Sequence, residues 1–193
     1  MGSEARGPEF DHAATHALIV GLDLTPTNHR IAETWLSLWH GNELPDRHRL
    51  NPADFKPNLS HLALFDVVPG VSVTVRLAGT RFGAILGMEL TGQDWIALAP
   101  ENHRASRLGL FKTITAGAFC VATRRIDTGR IDVSRSEEIL LPLAADPANG
   151  VYSVLCHVDL KEIHSGDSFL SRAETTGAPD AFELIALPGL VQA

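Results

Sequence analysis

Between residues 71 and 78 the chain alternates without a break. Val71, Val73, Val75 and Leu77 share one parity, and Ser72, Thr74, Arg76 and Ala78 the other. A helix cannot satisfy a two-residue period, because its faces repeat every 3.6 residues, so the run specifies a half-buried strand. Residues 151–160 repeat the pattern, with Tyr152, Val154, Cys156, Val158 and Leu160 on one side. Turn signals divide the sequence around these runs. Pro69-Gly70 links 71–78 to a stretch at 62–68 that is apolar on both parities, as a strand buried on both faces would be. Asn149-Gly150 joins 151–160 to a strand at about 136–143, and Asp127-Thr128-Gly129 closes an earlier one at 119–126. Short strands joined by tight turns form an antiparallel sheet.

Helical signals fall between and before these strands. Thr25 caps and Pro26 opens a helix in which Ile31, Trp35, Leu38 and Trp39 lie on one stripe, with Gly41 as its stop. Prolines at 45, 52 and 57 make residues 42–60 a connector. Phe82, Ile85 and Leu86 form a short helix ended by Gly87, and Asp94 caps a turn carrying Trp95 and Ile96. Asn102 is the expected cap of a longer helix that runs to about Ala116, with Leu108, Phe111 and Ile114 inward. A last helix is expected at 180–187, where Asp180 and Glu183 resemble a capping box. Residues 1–24 read as a flexible leader (Gly7-Pro8-Glu9-Phe10 would suit a cloning vector), 25–160 as the domain and 161–193 as a C-terminal extension. The fold class is α+β: a five-stranded antiparallel sheet covered by short helices, with an N-terminal flanking helix.

Composition narrows the partners. Hydrophobic residues make up 45% and charged residues 20%, which is globular composition. A net charge of -7 repels phosphate backbones, so nucleic acid is not expected, although Arg124, Arg125 and Arg130 form a local basic group. No run approaches the ~20 apolar residues of a membrane span, and the first ten residues lack a signal peptide's order. With two cysteines far apart, a reduced, cytoplasmic setting is expected. Cys120 and Cys156 belong to strands that a third strand should separate, too far apart to bridge.

Several short motifs occur in order. They are Trp35, Leu38 and Gly41; Leu44-Pro45-Asp46-Arg47; Asn51-Pro52-Ala53-Asp54; Leu62-Ala63-Leu64-Phe65-Asp66-Val67; Arg76-Leu77-Ala78-Gly79-Thr80; and Gly87-Met88-Glu89-Leu90-Thr91-Gly92. In these the chain resembles a bacterial family of small, single-domain PAS-like proteins, most closely over residues 35–92 and more weakly to 160. It departs at Asn51, where the family usually has Asp, and at Phe55-Lys56-Pro57-Asn58, which replaces a more apolar stretch. The resemblance implies a PAS fold and a role in signal transduction, and it carries no catalytic residue. Physically, Gly79 and Gly92 stand where the backbone must turn, and Arg76 is placed to pair with Asp66 or Glu89 across an exposed face.

The expected function is a non-enzymatic sensory or regulatory module acting through a protein partner or a small ligand. A ligand would enter between sheet and helices, lined by Val75, Leu77, Ile85, Trp95, Phe111, Phe119 and Val121. The stripe of Ile31, Trp35, Leu38 and Trp39 is the expected interface of a homodimer. No cofactor is identifiable. A flavin light sensor of this type needs a cysteine in the helical crossover, and residues 80–117 have none. Haem is the alternative cofactor, with His103 at the start of the long helix as the axial ligand the resemblance implies. His12 and His16 are four apart beside Asp11, but a structural metal site takes four ligands, so they are read as solvated. An enzyme using the sheet–helix pocket is a further alternative; neither Gly-x-Ser-x-Gly nor a phosphate loop occurs, and Ser165-Gly166-Asp167-Ser168 is turn chemistry.

Overall fold

The computed structural model describes residues 9–127, 133–160 and 181–189. Helices α1 (His12–Val20) and α2 (Pro26–Ser37) come first, and short 3-10 turns at Arg47–Arg49, Pro52–Phe55 and Asn58–His61 follow. Then come β1 (Leu62–Val68), β2 (Ser72–Ala78), α3 (Thr80–Leu86), α4 (Glu101–Thr115), β3 (Ala118–Asp127), β4 (Val133–Pro142), β5 (Tyr152–Leu160) and β6 (Ala181–Ala186). The strands form one antiparallel sheet in the order β2-β1-β5-β4-β3-β6. Cys120 and Cys156 each pair with Leu140, so one strand stands between the two buried, free thiols, as expected.

The sheet is covered on both sides. On one side α1, α2 and the residues just after it bury Ile19, Ile31, Trp35, Leu36 and Trp39 against Phe119, Ile139, Leu141 and Leu155. On the other, Phe82 and Phe111 of α3 and α4 pack on Phe65, Val73, Val75, Cys120, Leu140, Val154 and Cys156. Residues 139–141 of β4 and 154–156 of β5 are therefore buried on both faces. Thr25 caps α2 by accepting from the Asn28 N–H, with Pro26 in the first turn, as its sequence specifies.

Two expectations about the ends are corrected. Residues 12–20 are a helix, not a loose leader, and Phe10, from the stretch read as vector-like, is built into the fold: the Asp11 carboxylate accepts from the Ala14 N–H, and Phe10, Thr15 and Ile19 are buried. Thr15 and Ile19, four residues apart, give that helix an inward face. The expected helix at 180–187 is a sixth strand paired with β3. An isolated eight-residue helix is marginal in water, whereas the edge of β3 offers a full row of backbone partners. Ile185 and Leu187 turn toward the α1–α2 core, and Phe182 and Leu184, on the other parity, stay exposed.

Strand β2 also departs from simple alternation. Leu64 faces Leu77 but Phe65 faces Val75, so Arg76 is an inserted residue, a β-bulge. Beyond the bulge the parity flips: Val73 and Val75 are buried, while Leu77 is 60% exposed. Val71, at the turn, is 72% exposed. The outer edge of β2 is covered by the crossover, where Val75 N–H donates to Gln93 C=O, Gly92 N–H to Val75 C=O, and Trp95 N–H to Val73 C=O.

Gly92 has φ +83, as a turn glycine should. Gly79 does not, since its φ is −66. Its requirement is space: a Cβ there would lie 2.4 Å from the Leu59 carbonyl oxygen and 2.5 Å from that of Ser60. Gly79→Ala is expected to cost about 1–3 kcal/mol, because backbone rather than a flexible side chain must yield. Urea denaturation checks this, and an unchanged midpoint would mean that the turn before β1 gives way freely.

Candidate functional site

Small side chains set the depth of the face beneath α4. Cys120 and Ala122 of β3, with Val75, Val154 and Cys156, leave room for rings above them. Phe65 occupies the middle, its centroid 5.2 Å from Phe111 in an edge-on contact and 5.3 Å from Trp95. Trp95 is only partly buried, and its ring lies 4.9 Å below the Arg107 guanidinium carbon. Arg107 Nη1–H also donates to the Trp95 carbonyl at 3.0 Å, so a cation–π contact and a hydrogen bond fix the indole together. Arg104 donates to the carbonyls of Ala97 and Ala99, and Asp94 accepts from the Ile96 and Ala97 N–H groups. The crossover turn is thus tied to α4 at several points. Burial, with Glu138 beside it, pushes the Cys120 thiol up to about 12, which keeps it a neutral filler.

The opposite face holds polar chemistry instead. Asn28 of α2 is fully buried, and its Nδ2 donates to the Glu137 carbonyl at 3.1 Å and to Glu137 Oε1 at 2.9 Å. Glu137 Oε1 also accepts from the Thr25 N–H at 2.7 Å, so a carboxylate sits at the N-terminus of α2. Asn28 Oδ1 lies 2.6 Å from His157 Nδ1. Since the amide nitrogen already donates to Glu137, its oxygen must accept, which assigns the proton to Nδ1 of His157. The His61 ring is 6.2 Å away, with Nδ1 3.1 Å from Ser60 Oγ. Burial lowers both imidazoles: His157, 1% exposed, falls to about 4, and His61 is lowered by burial and by Arg81.

A third cluster joins the motif residues. Asp66 of β1 receives Arg76 at 3.0 Å and Arg47 at 3.5 Å, and Arg47 also reaches Asp146 at 3.0 Å. Arg76 thus takes Asp66, of the two partners expected for it. The Leu-Pro-x-Arg connector, the Asp-Val strand and the β2 bulge meet here, clamping residues 42–60 to the sheet.

The expected pocket residues divide. Val75, Trp95 and Phe111 meet on the α4 face. Phe119 and Val121 lie on the opposite face, against α1 and α2. Both parities of β3 are apolar, so sequence alone could not orient it; the smaller set faces α4, where the helix lies close. Leu77 is turned out by the bulge, and the side chain of Ile85 lies outside those described. The expected dimer face is also corrected. Ile31, Trp35 and Trp39 are buried in their own chain, Leu38 packs on the same core, and Trp35 Nε1–H donates to the Pro142 carbonyl at 2.8 Å. His103 is half-buried in the first turn of α4, its Nε2 3.3 Å from Asn102 Nδ2. His12 is not free in solvent: its Nε2 lies 3.2 Å from the Leu36 carbonyl, and its ring meets Trp39 edge-on. The basic group at Arg124, Arg125 and Arg130 and the turn at 165–168 lie outside the described side chains.

Sequence reading passed over Asn28, Glu137 and His157. No local signal marks them, because Glu137 lies in the polar run 134–138 and His157 shares its parity with Ser153 and Asp159.

Burial of His157 makes stability depend on pH. The unfolded chain takes up a proton near pH 6.5 and the folded one only near 4, so unfolding binds the proton in between and stability falls as pH drops through that window. The full loss is roughly 3 kcal/mol. Urea titrations at several pH values should show His157→Gln losing this part of the acid dependence; an identical slope in both proteins would contradict the assignment.

Among the described residues no helix is long and apolar enough to cross a membrane. No curated protein matches the chain. A family model described as PAS domain matches residues 24–156, from the cap of α2 into β5. That span contains the hairpin, the helical crossover and the returning strands, and the chain belongs to the PAS domain family.

Proposed function

We propose that this chain is a non-enzymatic regulatory module that binds a small, largely apolar ligand between the sheet and α4 and passes the result to a protein partner. PAS domains are sensory and regulatory modules, and this is the specific form of that role which the residues favour. The observation that carries the reading is the Phe65–Trp95–Phe111 cluster with Trp95 half-open at its rim. Aromatic rings supply contact area to an apolar ligand, and Arg107 over the indole supplies a charge at the entrance. The face offers surface rather than proton-transfer groups, since the buried Glu137 and His157 stand on the far side of the sheet. Binding, not turnover, suits it.

Native mass spectrometry of the freshly purified protein tests the proposal. A non-covalent adduct of one constant mass is expected, weakened at least about fivefold in Trp95→Ala, where the rim of the site loses its largest contact. A bare mass, or an adduct indifferent to Trp95→Ala, would count against ligand binding on this face.

A further inference from the structure

Three segments distant in sequence converge where α4 runs into β3. Gly117 ends the helix with φ +105, its N–H donating to the Ile114 carbonyl and its carbonyl accepting from the Leu187 N–H at 2.8 Å. The space its missing side chain leaves is taken by Phe10, for a Cβ there would lie 2.6 Å from both Cε1 and Cζ of that ring. Phe10 in turn forms an antiparallel bridge with Gly189, and the Asp11 N–H donates to the Pro188 carbonyl at 2.7 Å. The Phe10 N–H donates to the Asn42 carbonyl at 2.8 Å, and the ring meets Trp39 edge-on at 6.3 Å. The entry to α1, the end of α4 and the exit from β6 therefore each hold the other two. Only glycine fits the middle position, by backbone angle and by space.

This joint links the two faces of the sheet around its end rather than through it. On one side α4 carries Phe111 over the aromatic cluster; on the other Phe10 packs with Trp39 in the α1–α2 core. We propose that Gly117 is a coupling joint, at which displacement of the last turn of α4 is passed through Phe10 and Leu187, so that α1 and β6 tighten and loosen together with that turn. The direction of signal flow rests on the α4 face being the sensing face; the mechanical coupling does not. Local opening of contiguous segments with a shared free energy is the physical form such coupling takes.

Hydrogen–deuterium exchange of the full chain, with no ligand added, separates the coupling from the ligand proposal. Phe10→Ala is expected to raise exchange by roughly tenfold at residues 12–20, 112–117 and 181–187 in concert, leaving β1 and β2 unchanged. A rise confined to residues 12–20, with β6 and the end of α4 unmoved, would overturn the proposal. So would a uniform rise over the whole sheet, which marks plain loss of stability. Phe10→Leu keeps much of the apolar contact and, if Phe10→Ala does not fold, carries the same test through the same three segments.

Discussion

The docking of α2 along β4 and β5 organises one side of this molecule. Its two polar anchors stand at opposite ends of the helix: Glu137 accepts from Thr25 and Asn28 at the start, and Trp35 donates to the Pro142 carbonyl near the finish. Each such bond adds only about 1 kcal/mol net, but a buried donor or acceptor left without a partner costs about 1–3 kcal/mol. The anchors therefore fix direction and register more than they add stability. Stability comes from the indole of Trp35 and its apolar neighbours, where truncation of one large core side chain costs about 3–5 kcal/mol. Because the helix consumes its own tryptophan stripe, residues 139–141 of β4 and 154–156 of β5 become doubly buried, and the remaining sheet–helix face is left to α4.

The two faces are consequently different in kind. Beneath α2 lie Asn28, Glu137 and His157, a polar network whose members are oriented by one another and whose histidine is held neutral by burial. Beneath α4 lie rings and small aliphatic groups, with one indole reaching the rim. A network of satisfied buried polar groups admits few alternative arrangements, whereas an apolar face can exchange one set of contacts for another. For a regulatory module this division places adaptability on the α4 side and rigidity on the α2 side.

Much of this architecture was legible in the sequence because the signals were local. The bounds of β1 follow from its apolar run and the Pro69-Gly70 turn, and α2 begins at its Thr25 cap; Gly87 ends α3, as expected, and does so in the left-handed conformation. What escaped depends on contacts between distant residues. No local feature of 181–186 reveals that β3 has a vacant edge to be filled. The bulge at Arg76 is a property of the pairing with β1, so alternation alone placed Leu77 on the wrong face. Phe119 and Val121 were misplaced because β3 is apolar on both parities, and the choice was made by the closeness of α4. The tryptophan stripe was read correctly as a face needing burial, but a stripe does not say whether its cover is the same chain or another.

That last point is the most direct to measure. In a Trp95→Phe variant the remaining indoles are Trp35 of α2 and Trp39 just past its end, and both are almost wholly buried within the chain. Their emission should be blue-shifted, little quenched by acrylamide, and unchanged on dilution over several orders of magnitude in protein concentration. Emission that moves to the red and becomes quenchable on dilution would show that a second molecule, not the chain's own sheet, covers the tryptophan face.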